Sequence, residues 1–385
     1  MILAMGSVQV LEAAPEDRRQ AKRMHDRLAG TPPSPAVLND MESLISAGNE
    51  TQAALNIMNG QGIYQSSAKH FYSTTVKNMV TPWTNEAQTV FAPLNDYTAT
   101  VIGMVRDNVP FNSLLSADLI YVGSGVSGLP AYSMDNNNHY EFLEDQGADL
   151  SDTSVLISQS QSAVTGLPAS ATAGILTTRA AARAFFIDGT NRAMYRFTML
   201  NHLCNDLEQI KDASRSPDRI QQDVTRSPGG DSRIFMTACQ GCHTGMDPLN
   251  QAFAYYNYEY NGDMESGRLV YTPNSVQGKY LINSNNFETG YITTDDSWVN
   301  YWREGANSVL GWSPSLPGSG NGAKSMGQEL ANSDAFASCQ VKKVFKSVCF
   351  REPSAAELTG VTASFKADYN LKNVFAEAAV ACMGN

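Results

Sequence analysis

Six cysteines are spread over the 385 residues of this chain, and two of them stand three apart directly before a histidine in the stretch ACQGCHTGMDPL. Cys239, Cys242 and His243 therefore share one turn of chain, whatever surrounds them. The other four, Cys204, Cys339, Cys349 and Cys382, are an even number and allow three disulfide connectivities. A chain with this pattern must fold so that one tight C-x-x-C-H turn and four scattered thiols all find partners.

Two thiols on one turn reach the two vinyl groups of a haem, and a histidine directly after them offers its imidazole to the iron. This is the spacing of c-type haem attachment. The motif predicts one covalent haem c, with Cys239 and Cys242 as attachment residues and His243 as the proximal iron ligand. Two other chemistries use the same residue types. A thioredoxin-like redox pair wants a strand before it and a helix opening at the first cysteine, and the polar stretch before MTACQGCH fits this poorly. A structural zinc site wants a second pair of ligands nearby, and only His202 and Cys204 stand upstream. Methionine or histidine can fill the sixth iron position, a thioether favouring ferrous iron more than a second imidazole does. Met246 follows His243 too closely and falls on the same face, so Met264, Met326, His202 and His139 are the distal candidates, beside a vacant position.

The formal net charge is -11 and the pI about 4.9, the opposite of the basic footprint that phosphate backbones demand, so nucleic acid is not an expected partner. No apolar run reaches the roughly 18 residues of a membrane span, and no transmembrane segment is expected. The opening MILAMGSVQVLEAA is apolar and ends in small residues but lacks a basic start. It reads equally as the remnant of an export signal or as an ordinary terminal strand or helix. The stretches MDNNNHYEF and LPGSGNGAKS read as polar surface loops.

Helix signals are clearest at the two ends. APEDRRQAKRMHDRLAG begins at Pro15 with acids in its first turn, puts Ala21, Met24 and Leu28 on one stripe and stops at Gly30. The next segment has Ser34 as N-cap, Pro35 at the first helical position and Gly48 as terminator. Further helices are expected over Thr178 to Ile187 and, past Gly189, from Asn191 to about Ile210. Residues 120–165 read as irregular with a hairpin, and KDASRSPDRIQQDVTRSPGGDSR as a polar linker or lid. The end is helical again, with a capping box at Ser354 and Glu357. The expected architecture is mainly α: a multi-helix protein with long irregular Asn/Gly-rich loops and one c-type haem module. It divides into an N-terminal helical domain with irregular loops (1–165), a haem-bearing region (166–322) and a C-terminal helical module (323–385).

The surroundings of the motif carry a resemblance. CQGCHTGMDPLNQAFAYYNY resembles the CxxCHxxMDPxGxAxExFD pattern of large exported bacterial proteins, first noted in planctomycetes, that carry haem-c-binding modules among domains of unknown function. AGILTTRAAARAFFIDGTNRAMYRFTMLNHLC is similar to the GxLT segment of that family, and SDAFASCQVKKVFKSVCFREPSAAEL through NLKNVFAEAAVACMG to its C-terminal helical module. The likeness spans roughly residues 165–260 and 325–385. It implies haem roles for Cys239, Cys242 and His243 and a turn at Met246, Asp247 and Pro248. Asn250 stands where a glycine is usual, Tyr256, Asn257 and Tyr258 replace acidic and Phe-Asp residues, and a second CxxCH is lacking.

The expectation is an exported monohaem c-type cytochrome, periplasmic or extracellular, passing single electrons to redox partner proteins. A haem enzyme of peroxidase or oxidase type, and a structural or assembly subunit of a larger redox complex or oligomer, are the alternatives. The aromatic run Phe253, Tyr255, Tyr256, Tyr258 and Tyr260 is expected around the haem or, alternatively, in the general core, and Asp247 is expected to end the motif helix by accepting backbone N–H groups. Haem c is attached outside the bacterial cytoplasm, where neighbouring thiols oxidise, so two disulfides are expected. Cys339 and Cys349 lie ten residues apart in one helix, about 15 Å at the helical rise, beyond the reach of a disulfide. Cys204 and Cys382 must then each take one of them.

Overall fold

The computed structural model describes residues 15–187 and 189–384; the opening residues 1–14 lie outside them. Helices dominate, and the strands form three antiparallel two-stranded ribbons among the described residues: Ile120–Gly123 with Leu156–Gln159, Tyr256–Asn261 with Asp263–Tyr271, and Ser297–Val299 with Ser319–Asn321. The fold is mainly α.

The first two helices form as their termini dictate. Pro15–Ala29 buries Ala21, Met24 and Leu28 completely and ends at Gly30 with φ +71°. Pro35–Ser46 starts at Ser34, whose hydroxyl accepts the Val37 N–H at 3.2 Å. The first packs against the end of the chain: Gln20 Nε2 donates to the Gly384 carbonyl at 2.6 Å, Arg27 to that of Cys382 at 2.9 Å, and Arg23 to that of Met383. Asp96–Arg106 is buried at every residue. One contiguous hydrophobic core extends from Ala21 to Cys382.

Two readings are corrected. MDNNNHYEF is not a surface loop throughout: Asn138–Asp145 is a helix that buries His139, Tyr140 and Leu143. The polar-looking histidine is drawn inside by two hydrogen bonds, Nδ1 donating to the Pro130 carbonyl (2.6 Å) and Nε2 accepting the Gly123 N–H (2.8 Å). The helix expected to reach Ile210 spans only Arg192–Leu203, because Cys204 takes a left-handed conformation at φ +54°. That turn aims its sulfur at Cys339.

Asp334–Cys349, Ala355–Asp368 and Leu371–Cys382 form the C-terminal helices, the second opened by the expected capping box of Ser354 and Glu357. The disulfides are Cys204–Cys339 and Cys349–Cys382, with Cα separations of 5.3 and 5.5 Å. As expected, Cys339 and Cys349 do not pair. No helix among the described residues is long and apolar enough to cross a membrane.

Candidate functional site

Cys239, Cys242 and His243 lie on one continuous helical stretch that begins at Ser232, capped by Asp231, and runs to Asn250. Its Phe235–Cys239 part is wound as π-helix, a local widening that recurs at functional sites because it re-aims the side chains it carries. Two glycines bring the surroundings close. A Cβ at Gly241 would stand 3.1 Å from Lys211 Cβ, and this narrow approach lets the Asp212 N–H donate to the Gly241 carbonyl at 2.8 Å. A Cβ at Gly245 would fall 2.0 Å from the Trp302 indole, which is fully buried against the helix. The Thr244 hydroxyl adds a bond to the Asp212 carbonyl at 2.8 Å.

The stretch expected as a linker or lid is folded onto the motif. Ile220, Val224 and Phe235 form a small cluster on which Cys239 packs, and Cys242 Sγ lies 3.6 Å from the Leu207 carbonyl. Burial pushes the Cys242 thiol up. Both thiols are partly exposed and unpaired, in contrast to the four disulfide cysteines.

Beneath His243 lies a buried charge network. His243 Nδ1 is 3.0 Å from Asp247 Oδ1, one helical turn on, and Asp247 is completely buried. Asp247 also accepts from Arg192 Nε at 2.8 Å, Arg192 Nη2 at 3.1 Å and the Gln221 N–H at 3.2 Å. Arg192 reaches on to Asp223, at 2.6 and 2.9 Å. Burial pushes the Asp247 carboxyl up, but Arg192 and then His243 outweigh it and hold the group well below the ordinary carboxylate range. An ionised carboxylate only accepts, so Nδ1 donates to it, and in the neutral imidazole Nε2 is then the nitrogen that carries the lone pair. Among the described residues Nε2 makes no hydrogen bond. The donor set fits a haem: two free thiols on one turn and an imidazole whose other nitrogen is held by a carboxylate, the usual arrangement behind a metal-bound histidine.

The expected turn at Asp247 and Pro248 is absent. The helix continues through Pro248 to Asn250, and the oxygens of Asp247 are spent on two side chains and one distant backbone N–H. What ends the helix is a set of amide clamps: Asn250 Nδ2 donates to the Thr190 carbonyl at 2.6 Å, and Asn191 Nδ2 to the carbonyls of Phe253 and Tyr256 at 2.9 Å each. Asn250 thus holds the turn that presents Arg192, and Asn191 in that turn sits at φ +58°. The ring partners of Phe253 and Tyr256 are Phe186, Tyr271 and each other, and Tyr260 is exposed. These rings pack as core.

The distal candidates are placed elsewhere. Met326 is fully buried in the main core. His202 is buried edge-on to Trp83 with Nε2 2.8 Å from the Tyr97 hydroxyl, and burial, then Lys343, holds it far below the ordinary histidine range. Both nitrogens of His139 are engaged. Met264 lies on the Asp263–Tyr271 strand, its side chain outside what the structure describes. Among the described residues no hydrogen bond or ring contact joins Met326, His202 or His139 to the motif.

The rival chemistries find little support. Cys239 lies within a continuous helix rather than at its opening after a strand, and Cys204 is taken by its disulfide. No cluster of three or more His, Cys, Asp or Glu residues able to hold a metal ion occurs among the described residues. No protein-family model, curated protein or solved structure matches this chain.

Proposed function

We propose that this chain is an exported monohaem c-type cytochrome that passes single electrons between redox partner proteins. The observation that carries the reading is the geometry at His243: buried Asp247 lies 3.0 Å from Nδ1 and leaves Nε2 as the nitrogen without a partner, beside the only two unpaired cysteines among the described residues. A haem bound there supplies reversible one-electron chemistry at its iron. The thiols of Cys239 and Cys242 would hold the group as thioethers, their S–H adding across its vinyl groups with no leaving group. His243 would offer Nε2 to the iron, with Asp247 accepting from Nδ1 and fixing the ring. Arg192 and Asp223 position Asp247. The partial exposure of all three motif residues suits exchange with a partner at the surface. Two disulfides favour an oxidising compartment, periplasmic or extracellular.

The test is mass spectrometry of the denatured chain after expression in a host that matures c-type cytochromes. One added haem is expected, since thioethers survive denaturation, and its absence rejects the reading. His243→Ala should retain the covalent mass but alter the optical spectrum; an unchanged spectrum removes His243 as ligand. Rapid cyanide or carbon monoxide binding by the wild-type protein would move the assignment to a haem enzyme.

A further inference from the structure

The helix Asp334–Cys349 turns three lysines, Lys342, Lys343 and Lys346, toward one cavity of about 540 Å³. In a chain of net charge -11 such a cluster would be expected to find carboxylates. Only Lys346 does, at the rim, where it meets Glu352 at 2.7 Å with both side chains well exposed. Among the described residues Lys342 and Lys343 have neither an ion pair nor a hydrogen bond. The Lys343 ammonium lies 4.8 Å above the Trp83 ring, and burial together with neighbouring Lys346 holds it down to about 8. Gln209, an exposed residue that also lines the cavity, uses its oxygen to accept the Asp206 N–H at 2.8 Å, and its NH2 donates to no described residue. Three lysines thus face one carboxylate, Glu352, which is taken up by Lys346, and the cavity keeps an excess of donors. Its remaining walls include Gln88 and the apolar surfaces of Leu200, Pro353 and Leu358.

We propose that this cleft binds a small organic carboxylate with an apolar body, the carboxylate between Lys342 and Lys343 and the body against Leu200, Pro353 and Leu358. A cavity of this volume is the size of small-molecule sites, which combine apolar walls with a few convergent polar groups. Lysine ammonium groups attract the anion as point charges. Burial strengthens that attraction relative to a solvated lysine face, because the effective dielectric is lower. The apolar walls separate this ligand class from inorganic phosphate, which presents nothing to them. The cleft is linked to the motif by a short loop, since Gln209 follows two residues after Leu207, whose carbonyl faces the Cys242 thiol. The proposal does not depend on haem attachment.

Calorimetric titration of the full-length protein with benzoate, acetate and inorganic phosphate tests it. Benzoate should bind at one site, at least about tenfold more tightly than acetate or phosphate. Lys343→Met, which keeps the stem over Trp83, and Lys342→Met should each weaken benzoate about tenfold, with circular dichroism confirming the fold, while Lys22→Met on the first helix leaves binding unchanged. No saturable heat with millimolar benzoate, phosphate binding as tightly as benzoate, or undiminished binding in the folded Lys342→Met protein would each overturn the proposal.

Discussion

Two helices of this molecule are held in place by opposite means. Asp334–Cys349 buries Phe336, Val341, Val344, Phe345 and Val348 and is anchored at both cysteines. Gln240–Asn250 buries a carboxylate, a threonine, a proline and an asparagine, and is held by Arg192, Gln221, the Asp212 loop and amide clamps. Apolar packing is forgiving of small shifts and indifferent to direction, whereas a buried carboxylate needs each donor in place. The difference suits the two roles proposed here. A scaffold helix has only to stay put, but a ligand histidine has to present one nitrogen in one protonation state.

The largest expected effect is at the bond that ties the Asp334–Cys349 helix to the end of Arg192–Leu203. Cys204–Cys339 closes 135 residues and Cys349–Cys382 closes 33; by the chain-entropy relation their loss costs about 5 and about 4 kcal/mol. Urea denaturation of Cys204→Ser/Cys339→Ser and Cys349→Ser/Cys382→Ser proteins checks this order. Equal losses would mean that the longer Cys204–Cys339 loop constrains no more chain than the shorter Cys349–Cys382 one.

Next comes Asp247→Ala, which removes a fully buried carboxylate from half-buried Arg192 and should cost about 3 kcal/mol in the same assay, the scale of breaking a buried ion pair. A loss below about 1 kcal/mol would place this network with ordinary surface pairs and break the contrast between the helices. A sharper version uses one substitution in both regions. Gly245→Ala drives a methyl into Trp302 and should destabilise by about 1–3 kcal/mol. Gly360→Ala, in Ala355–Asp368 with nothing within 4 Å, should stabilise by about 0.5–1 kcal/mol. The same methyl thus reports tight closure in one place and open space in the other.

The contrast also explains what could be read in advance. The first two helices and the C-terminal capping box announce themselves through residues within four positions of one another: Pro15, Ser34 with Pro35, and Ser354 with Glu357. The C-x-x-C-H spacing of Cys239, Cys242 and His243 is legible for the same reason. The support behind His243 is legible only in part. Asp247 stands at the helical i+4 spacing and was there to be paired with it, but the residue before a proline reads first as a turn. Arg192 stands 55 positions from Asp247, Asp223 31 from Arg192 and Gln221 26 from Asp247, and no local pattern marks a half-buried arginine that waits for a distant carboxylate. The early end of the Arg192–Leu203 helix was hidden likewise, because Cys204 departs from helical geometry where it meets a sulfur 135 residues away. Periodicity reports what a helix does with its own neighbours, and these features are set by chain that arrives from elsewhere.

The smallest predicted effect tests whether charge also matters in the apolar half. Glu357 bonds the Ser354 N–H at 2.7 Å and pairs with Arg351 at 2.6 Å, at the start of Ala355–Asp368. Arg351, then the Ser354 bonds, outweigh the opposing burial and hold its carboxyl down to about 2, from the ordinary 4.5. Because the folded state favours the ionised form, the contribution is complete above pH about 4.5 and disappears as pH falls toward about 2. The side chain is partly solvated and its partner more so, so water and salt screen the pair and the stabilisation is a few tenths of a kcal/mol to about 1. Comparing the unfolding midpoints of wild type and Glu357→Gln isolates this group from the other carboxylates. The wild-type advantage should be constant above pH 5, shrink through pH 4 to 3, vanish near pH 2, and weaken in high salt. An advantage independent of pH would mean that the capping hydrogen bonds, which glutamine can partly keep, rather than the charge, set the stability of this helix start.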